Sequence, residues 1–103
     1  MNKINKLRDF LQNTPNDSFL QHALALEHIK IGEDNEARKL FNHILDREPN
    51  YVGSYYHLGK LLERHNELEE AIIIYKKGMK NAKALKDNHS YNELQGALED
   101  LED

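Results

Sequence analysis

Two short runs decide the fold: Tyr55-Tyr56-His57-Leu58-Gly59-Lys60-Leu61-Leu62 and, after a polar interval, Ala71-Ile72-Ile73-Ile74-Tyr75. Leu24, Ala25, Ala37 and Phe41 stand 34 residues before Leu58, Gly59, Ala71 and Tyr75, and Pro15-Asn16 stands equally far before Pro49-Asn50. A fixed period of this length, carried by apolar and small residues, marks a stacked-helix repeat array, in which each unit buries its apolar face only against its neighbours. Arrays of this kind present surfaces rather than reaction centres. The period therefore speaks to architecture and general role, and it names no partner.

Working outward from these runs, the pattern is helical throughout. Apolar residues recur at i, i+3, i+4, i+7 and i+8 in Ala37, Leu40, Phe41, Ile44 and Leu45, and again in Ala71, Ile74, Tyr75, Gly78 and Met79. No stretch alternates as a strand would. Ser18-x-x-Gln21, Asn66-x-x-Glu69 and Ser90-x-x-Glu93 read as capping boxes, Gly32 suits a helix end, and Pro15 and Pro49 force breaks. Helices are expected near 3–13, 17–31, 34–47, 51–65, 68–84 and 89–102, with short links that make neighbours antiparallel. In the second of these, Leu20, Leu24, His28 and Ile31 share a narrow arc and are expected in the core.

The segment Tyr55-x-x-Leu58-Gly59-x-x-Leu62 followed by Ala71-x-x-x-Tyr75 resembles the tetratricopeptide repeat, and so does the earlier copy, Gln21-x-x-Leu24-Ala25-x-x-His28 followed by Ala37-x-x-x-Phe41 and Pro49. Gln21, His28 and Leu62 replace aromatics of the family pattern, and Lys83 stands where the second copy would carry Pro. One period before Phe41, Ile44, Leu45 and Pro49 lie Leu7, Phe10, Leu11 and Pro15, a second repeat helix without its first. Tyr91-x-x-Leu94-x-x-x-Leu98 repeats Tyr55-x-x-Leu58-x-x-x-Leu62 at an offset of 36, with Gln95 in the place of Gly59, as suits a lone polar capping helix. The resemblance implies an all-α solenoid of antiparallel helix pairs in one domain. Its parts are a partial repeat over 2–15, full repeats over 16–49 and 50–84, and a capping helix over 89–102.

Helical geometry then sorts the faces. At about 100° per residue, His22 and Leu26 point away from Leu24, flanked by Phe19, Ile29 and Lys30. The equivalent arc one period later holds Tyr56, Lys60, Glu63 and Arg64, with His57 at its edge. The resemblance implies that this face lines a concave groove that binds a peptide or partner protein. The groove residues expected are therefore Phe19, His22, Leu26, Ile29, Lys30, Tyr56, His57, Lys60 and Arg64. Lys30, Lys60 and Arg64 could pair an acidic ligand, yet Glu63, Glu99 and Asp100 offer internal partners as readily. Some relatives hold the acidic tails of chaperones with Lys, Asn and Arg on these helices. The matching positions here carry His22, Leu26, His57, His89 and Glu93, which disfavours that role.

Composition narrows the classes further. The 103 residues contain no Cys, which removes disulfides and thiolate metal sites. Six histidines include no i, i+4 pair, so no zinc site forms within one helix, and no metal or other cofactor is expected. Ser18, Ser54 and Ser90 lie in no nucleophile motif, no Gly-rich phosphate loop exists, and Glu69-Glu70 and Glu99-Asp100 read as solvated faces, so no catalytic residue is expected. A net charge of −4 with scattered basic residues argues against nucleic acid. Met1-Asn2-Lys3-Ile4-Asn5-Lys6 carries no apolar run, so neither a leader nor a membrane span is expected and a cytoplasmic location is the default. The function expected is a non-enzymatic interaction module, with a homodimer through the array's ends or through Ile72 and Ile73 as the alternative.

Overall fold

The computed structural model describes residues 2–102, and every regular element among them is a helix. In chain order these are α1 (Lys3–Asn13), α2 (Ser18–Lys30), α3 (Asp34–Arg47), α4 (Gly53–Arg64), α5 (Leu68–Ala84) and α6 (Asn88–Glu102). The chain falls into two compact units, Met1–Glu48 and Pro49–Asp103. In the first, α2 packs against both α1 and α3; in the second, α5 packs against both α4 and α6, and α6 also touches α4. The spacing that predicts α1, α3 and α5 gives their ends as observed, while α2 and α4 are shorter than expected and α6 starts one residue sooner.

The helix starts depart from the expected capping boxes for a clear physical reason. Asp17 and Asp87 precede the serines that were expected to cap, and a carboxylate in that place is a stronger acceptor for the orphan amides. Asp17 accepts the Leu20 amide at 3.0 Å. Asp87 accepts both the Ser90 amide at 3.0 Å and the Ser90 hydroxyl at 2.7 Å, and these bonds hold its carboxyl below the ordinary range. Asn66 starts no helix. It adopts φ 60° and closes α4, while Glu67 leads into α5 with no side-chain cap.

Three helix ends share one closure. Gly32, Asn66 and Lys86 have φ of 79°, 60° and 59°, and the next amide reaches back five residues: Glu33 to the His28 carbonyl, Glu67 to that of Leu62, Asp87 to that of Ala82. This is the left-handed helix stop that favours Gly, tolerates Asn and strains Lys. Because α2 ends at Lys30, Ile31 leaves the helical arc on which it was expected to be core, and it is 59% exposed.

In the second unit a small residue meets a large one. Gly59 of α4 faces Tyr75 of α5 so closely that a Cβ built at Gly59 would lie 2.1 Å from a carbon of the tyrosine ring. Both positions are buried, as are Ala25 and Phe41 one period earlier. Leu61, which the periodicity did not single out, is also buried.

A polar relay repeats with the same period. Arg47 donates to the Gln21 side-chain oxygen at 3.2 Å, and the Gln21 amide donates to the Pro15 carbonyl at 2.8 Å. Asn81 donates to the Tyr55 hydroxyl at 3.3 Å, and that hydroxyl donates to the Pro49 carbonyl at 2.6 Å. Each relay ties the end of a second helix, through the first helix, to the proline turn before it, and so satisfies a carbonyl in a bend that offers no helical partner. In the first unit Arg47 also donates to the Ser18 hydroxyl at 2.6 Å, which itself donates to Glu48 at 2.6 Å.

Candidate binding faces of the first helices

The outward face of α2 carries Phe19, His22, Leu26, Ile29 and Lys30, all expected on the binding surface, and the structure sorts them. The Phe19 ring is 70% exposed. Leu26 and Ile29 are half-buried. His22 does not simply point outward: its ring stands edge-on to Phe41 of α3, with centroids 5.6 Å apart, and it is half-buried. The helical wheel places His22 opposite Leu24 but cannot register that the antiparallel neighbour curls round to meet it. Lys30 is exposed, and its ammonium pairs with Glu27 of the same helix at 2.9 Å.

On α4 the equivalent face is organised around Tyr56. Its half-buried ring stands nearly perpendicular to that of His57, at 85° and 5.6 Å between centroids, and the Lys60 ammonium lies 5.6 Å from the ring centre. Lys60 also pairs with Glu63 at 3.5 Å, and Glu63 in turn accepts the hydroxyl proton of the buried Tyr75. The ammonium expected to serve a ligand is thus already engaged by a ring and a carboxylate. Arg64 is exposed.

Electrostatics tie α6 to this face. Burial pushes the His57 imidazole below its ordinary value, and the charge of Glu93 partly offsets that. The Tyr75 phenol is pushed well above its ordinary value by burial first, then by its bond to Glu63 and by the charges of Glu63 and Asp100. Glu63, Glu93 and Asp100 therefore act on the rings beside Lys60. The link from Tyr75 to Glu63 went unread in the sequence. Its one trace is a tyrosine where the preceding copy has Phe41, since the added hydroxyl needs a partner once buried. Among the described residues no group of three or more His, Asp or Glu side chains could hold a metal ion. Nor is any described helix long and apolar enough to cross a membrane.

Helix pairs repeated at one period, with a small buried residue at the same place in each first helix and an outward face beside it, define an α-solenoid of the protein-interaction class. The comparisons with known proteins agree. Residues 40–73 match the family model described as tetratricopeptide repeat. A tetratricopeptide repeat domain protein from Salinibacter ruber, known from a crystal structure, is 40% identical; the match covers 84% of this chain and 96% of that one, at a TM-score of 0.80. A solution structure of a tetratricopeptide repeat domain protein from the same organism is also 40% identical, covering 85% of this chain and 89% of that one, at a TM-score of 0.82. The chain belongs to the tetratricopeptide repeat family. It is also 29% identical over 75 residues to the aspartyl/asparaginyl beta-hydroxylase of Homo sapiens, and 27% identical over 75 residues to that of Mus musculus. The match covers 73% of this chain but only 10% of either hydroxylase. Members of the family bind protein partners and are typically non-catalytic.

Proposed function

We propose that the protein is a non-enzymatic interaction module that holds a peptide or partner protein on the outward faces of its first helices. The α4 face centres on Tyr56 and Lys60, and the α2 face centres on Phe19 and Leu26. The observation that carries this reading is the Tyr56 cluster. His57 on one side and Lys60 on the other restrain a half-buried aromatic ring that still keeps an open surface. A restrained ring loses little conformational freedom on binding, which is what an interface anchor requires. Phe19, 70% exposed on α2, adds apolar area of the kind that a partner covers.

The test is affinity for a partner recovered with the wild-type chain. Tyr56→Ala is expected to weaken binding by about 1 to 3 kcal/mol, as for an aromatic anchor. Lys60→Glu is expected to weaken it in a salt-sensitive way and Arg64→Glu to do less, while Lys39→Glu on α3 and Lys76→Glu on α5 leave it intact. Retained affinity in the Tyr56→Ala, Lys60→Glu double variant, with loss in Lys39→Glu or Lys76→Glu, would move the site to the second helices.

A further inference from the structure

The outer face of α5 is sorted by charge about one exposed apolar residue. Ala71, Tyr75, Gly78 and Ala82 are buried on the inner side of the helix. Ile73 lies opposite them and is 49% exposed, while Ile72 is half-buried and Ile74 buried. At about 100° per residue, Glu69, Glu70, Lys76, Lys77 and Lys80 all fall within about 60° of Ile73, and all five are exposed. The two acids come a turn before Ile73, and the lysines follow it. On α2, α3 and α4 a lysine pairs with a glutamate three residues away. Here the nearest acid and lysine, Glu70 and Lys76, stand about two turns apart, too far for such a pair. None of the five has an ion partner among the described residues.

We propose that this face binds a second copy of the chain, α5 against α5 and antiparallel, with a two-fold axis at Ile73. Charge complementarity selects that occupant. Turning the helix about Ile73 brings Glu70 onto Lys76 and Glu69 onto Lys77 of the second copy, and the axis repeats both pairs on its other side. Glu70 and Lys76 each lie about 4.5 Å along the helix from the axis, close enough to meet at any ordinary crossing angle. Ile73 meets its own counterpart at the centre, and the lysine stems close over both. Lys80 then reaches Asn66 of the second copy, beside an open hollow of about 460 Å³ lined by Asn66, Glu67, Leu68, Glu69 and Glu70, whose carboxylates receive the ammonium. A parallel pair would set the acids on the acids and the lysines on the lysines, so charge also fixes the direction. The interface is isologous and closes at two chains. It leaves the faces of the first helices open and does not depend on their role.

Charge exchange in analytical ultracentrifugation tests this. The wild-type chain is expected to gain mass with concentration up to two chains and no further, and to do so less at high salt. Glu69→Lys with Glu70→Lys makes the face wholly basic, and Lys76→Glu with Lys77→Glu makes it wholly acidic. Each double variant alone is expected to lose self-association by about tenfold or more, while an equimolar mixture yields a species with one chain of each. A chain carrying all four substitutions exchanges every pair and should dimerise again on its own. Ile73→Lys should abolish association in the wild-type background and in the mixture alike. All five positions are exposed, so helical circular dichroism should persist in every variant. A wild-type chain that stays single at millimolar concentration overturns the proposal. So does failure of both the mixture and the four-substituted chain to pair, or an assembly that Ile73→Lys spares.

Discussion

The two helix pairs, α2–α3 and α4–α5, have the same frame and different chemistry. In the first unit the buried set includes three polar residues, Ser18, Gln21 and His28, each with a partner: Glu48, the Pro15 carbonyl and Glu33. The counterparts of Gln21 and His28 in the second unit are Tyr55 and Leu62, which fill the same places with apolar bulk. The relay to the proline turn survives the change because it requires only a donor reaching that carbonyl, and glutamine and tyrosine both supply one. A repeat thus fixes positions and directions, while the residues that satisfy them vary. The first pair should depend more on satisfied hydrogen bonds, the second on close packing.

The largest break in that symmetry should come at the crossing. Gly59→Ala pushes a methyl into the Tyr75 ring and is expected to cost about 2 to 3 kcal/mol, as overpacking does. Ala25→Gly, the reciprocal change in the first pair, should cost only about 1 kcal/mol, the intrinsic helix penalty of glycine. Chemical denaturation of both variants checks this, and equal losses would refute the contrast.

Next in size are the relays. Arg47→Ala removes a donor to Gln21, Ser18 and the Asn16 carbonyl, and is expected to cost about 2 kcal/mol because several partners lose a bond to a charged group. Tyr55→Phe keeps the packing and removes one donor, and should cost about 1 kcal/mol. If Tyr55→Phe proved the more damaging of the two in denaturant melts, the assignment of polar dependence to the first pair would be reversed.

Acid should act on the second unit through His57. Its folded value lies below the ordinary 6.5, so between the two values the unfolded chain binds the proton and the folded chain does not. Stability is therefore expected to be full above the ordinary value and to fall as pH drops below it toward the folded one. His57→Gln should flatten that part of the pH–stability curve. The smallest effect is a gain: Lys86→Gly relieves a lysine at φ 59° and should stabilise by about 0.5 to 1 kcal/mol in a thermal melt.

Much of this frame was legible in the sequence because the period places each residue twice. Ala25 and Gly59, Phe41 and Tyr75, and the two prolines mark the crossings and turns. The departures have local causes. Asp17 and Asp87 took the caps from Ser18 and Ser90 because competition among adjacent acceptors depends on backbone angles that the pattern does not carry. Ile31 left the core because α2 stopped a residue short of it. On the candidate faces, the wheel gave Phe19 and Tyr56 their outward placement and the charges offered Glu63 as an internal partner, but neither carried His22 against Phe41, Lys30 with Glu27 or Lys60 over Tyr56. Only the contact of His22 with Phe41 crosses helices and depends on the turn that joins them, which no single-helix projection contains; Lys30 with Glu27, and Lys60 with Tyr56 and Glu63, stand at i, i+3 or i, i+4 spacing within one helix.

The most direct test of the interaction role is nuclear magnetic resonance mapping of the wild-type chain titrated with its recovered partner. The largest shifts are expected at Phe19 and Leu26 on α2 and at Tyr56, His57 and Lys60 on α4, with Lys39, Ile73 and Lys76 unmoved. Shifts centred on Lys39, Ile73 and Lys76, with Tyr56 and its neighbours silent, would contradict the account.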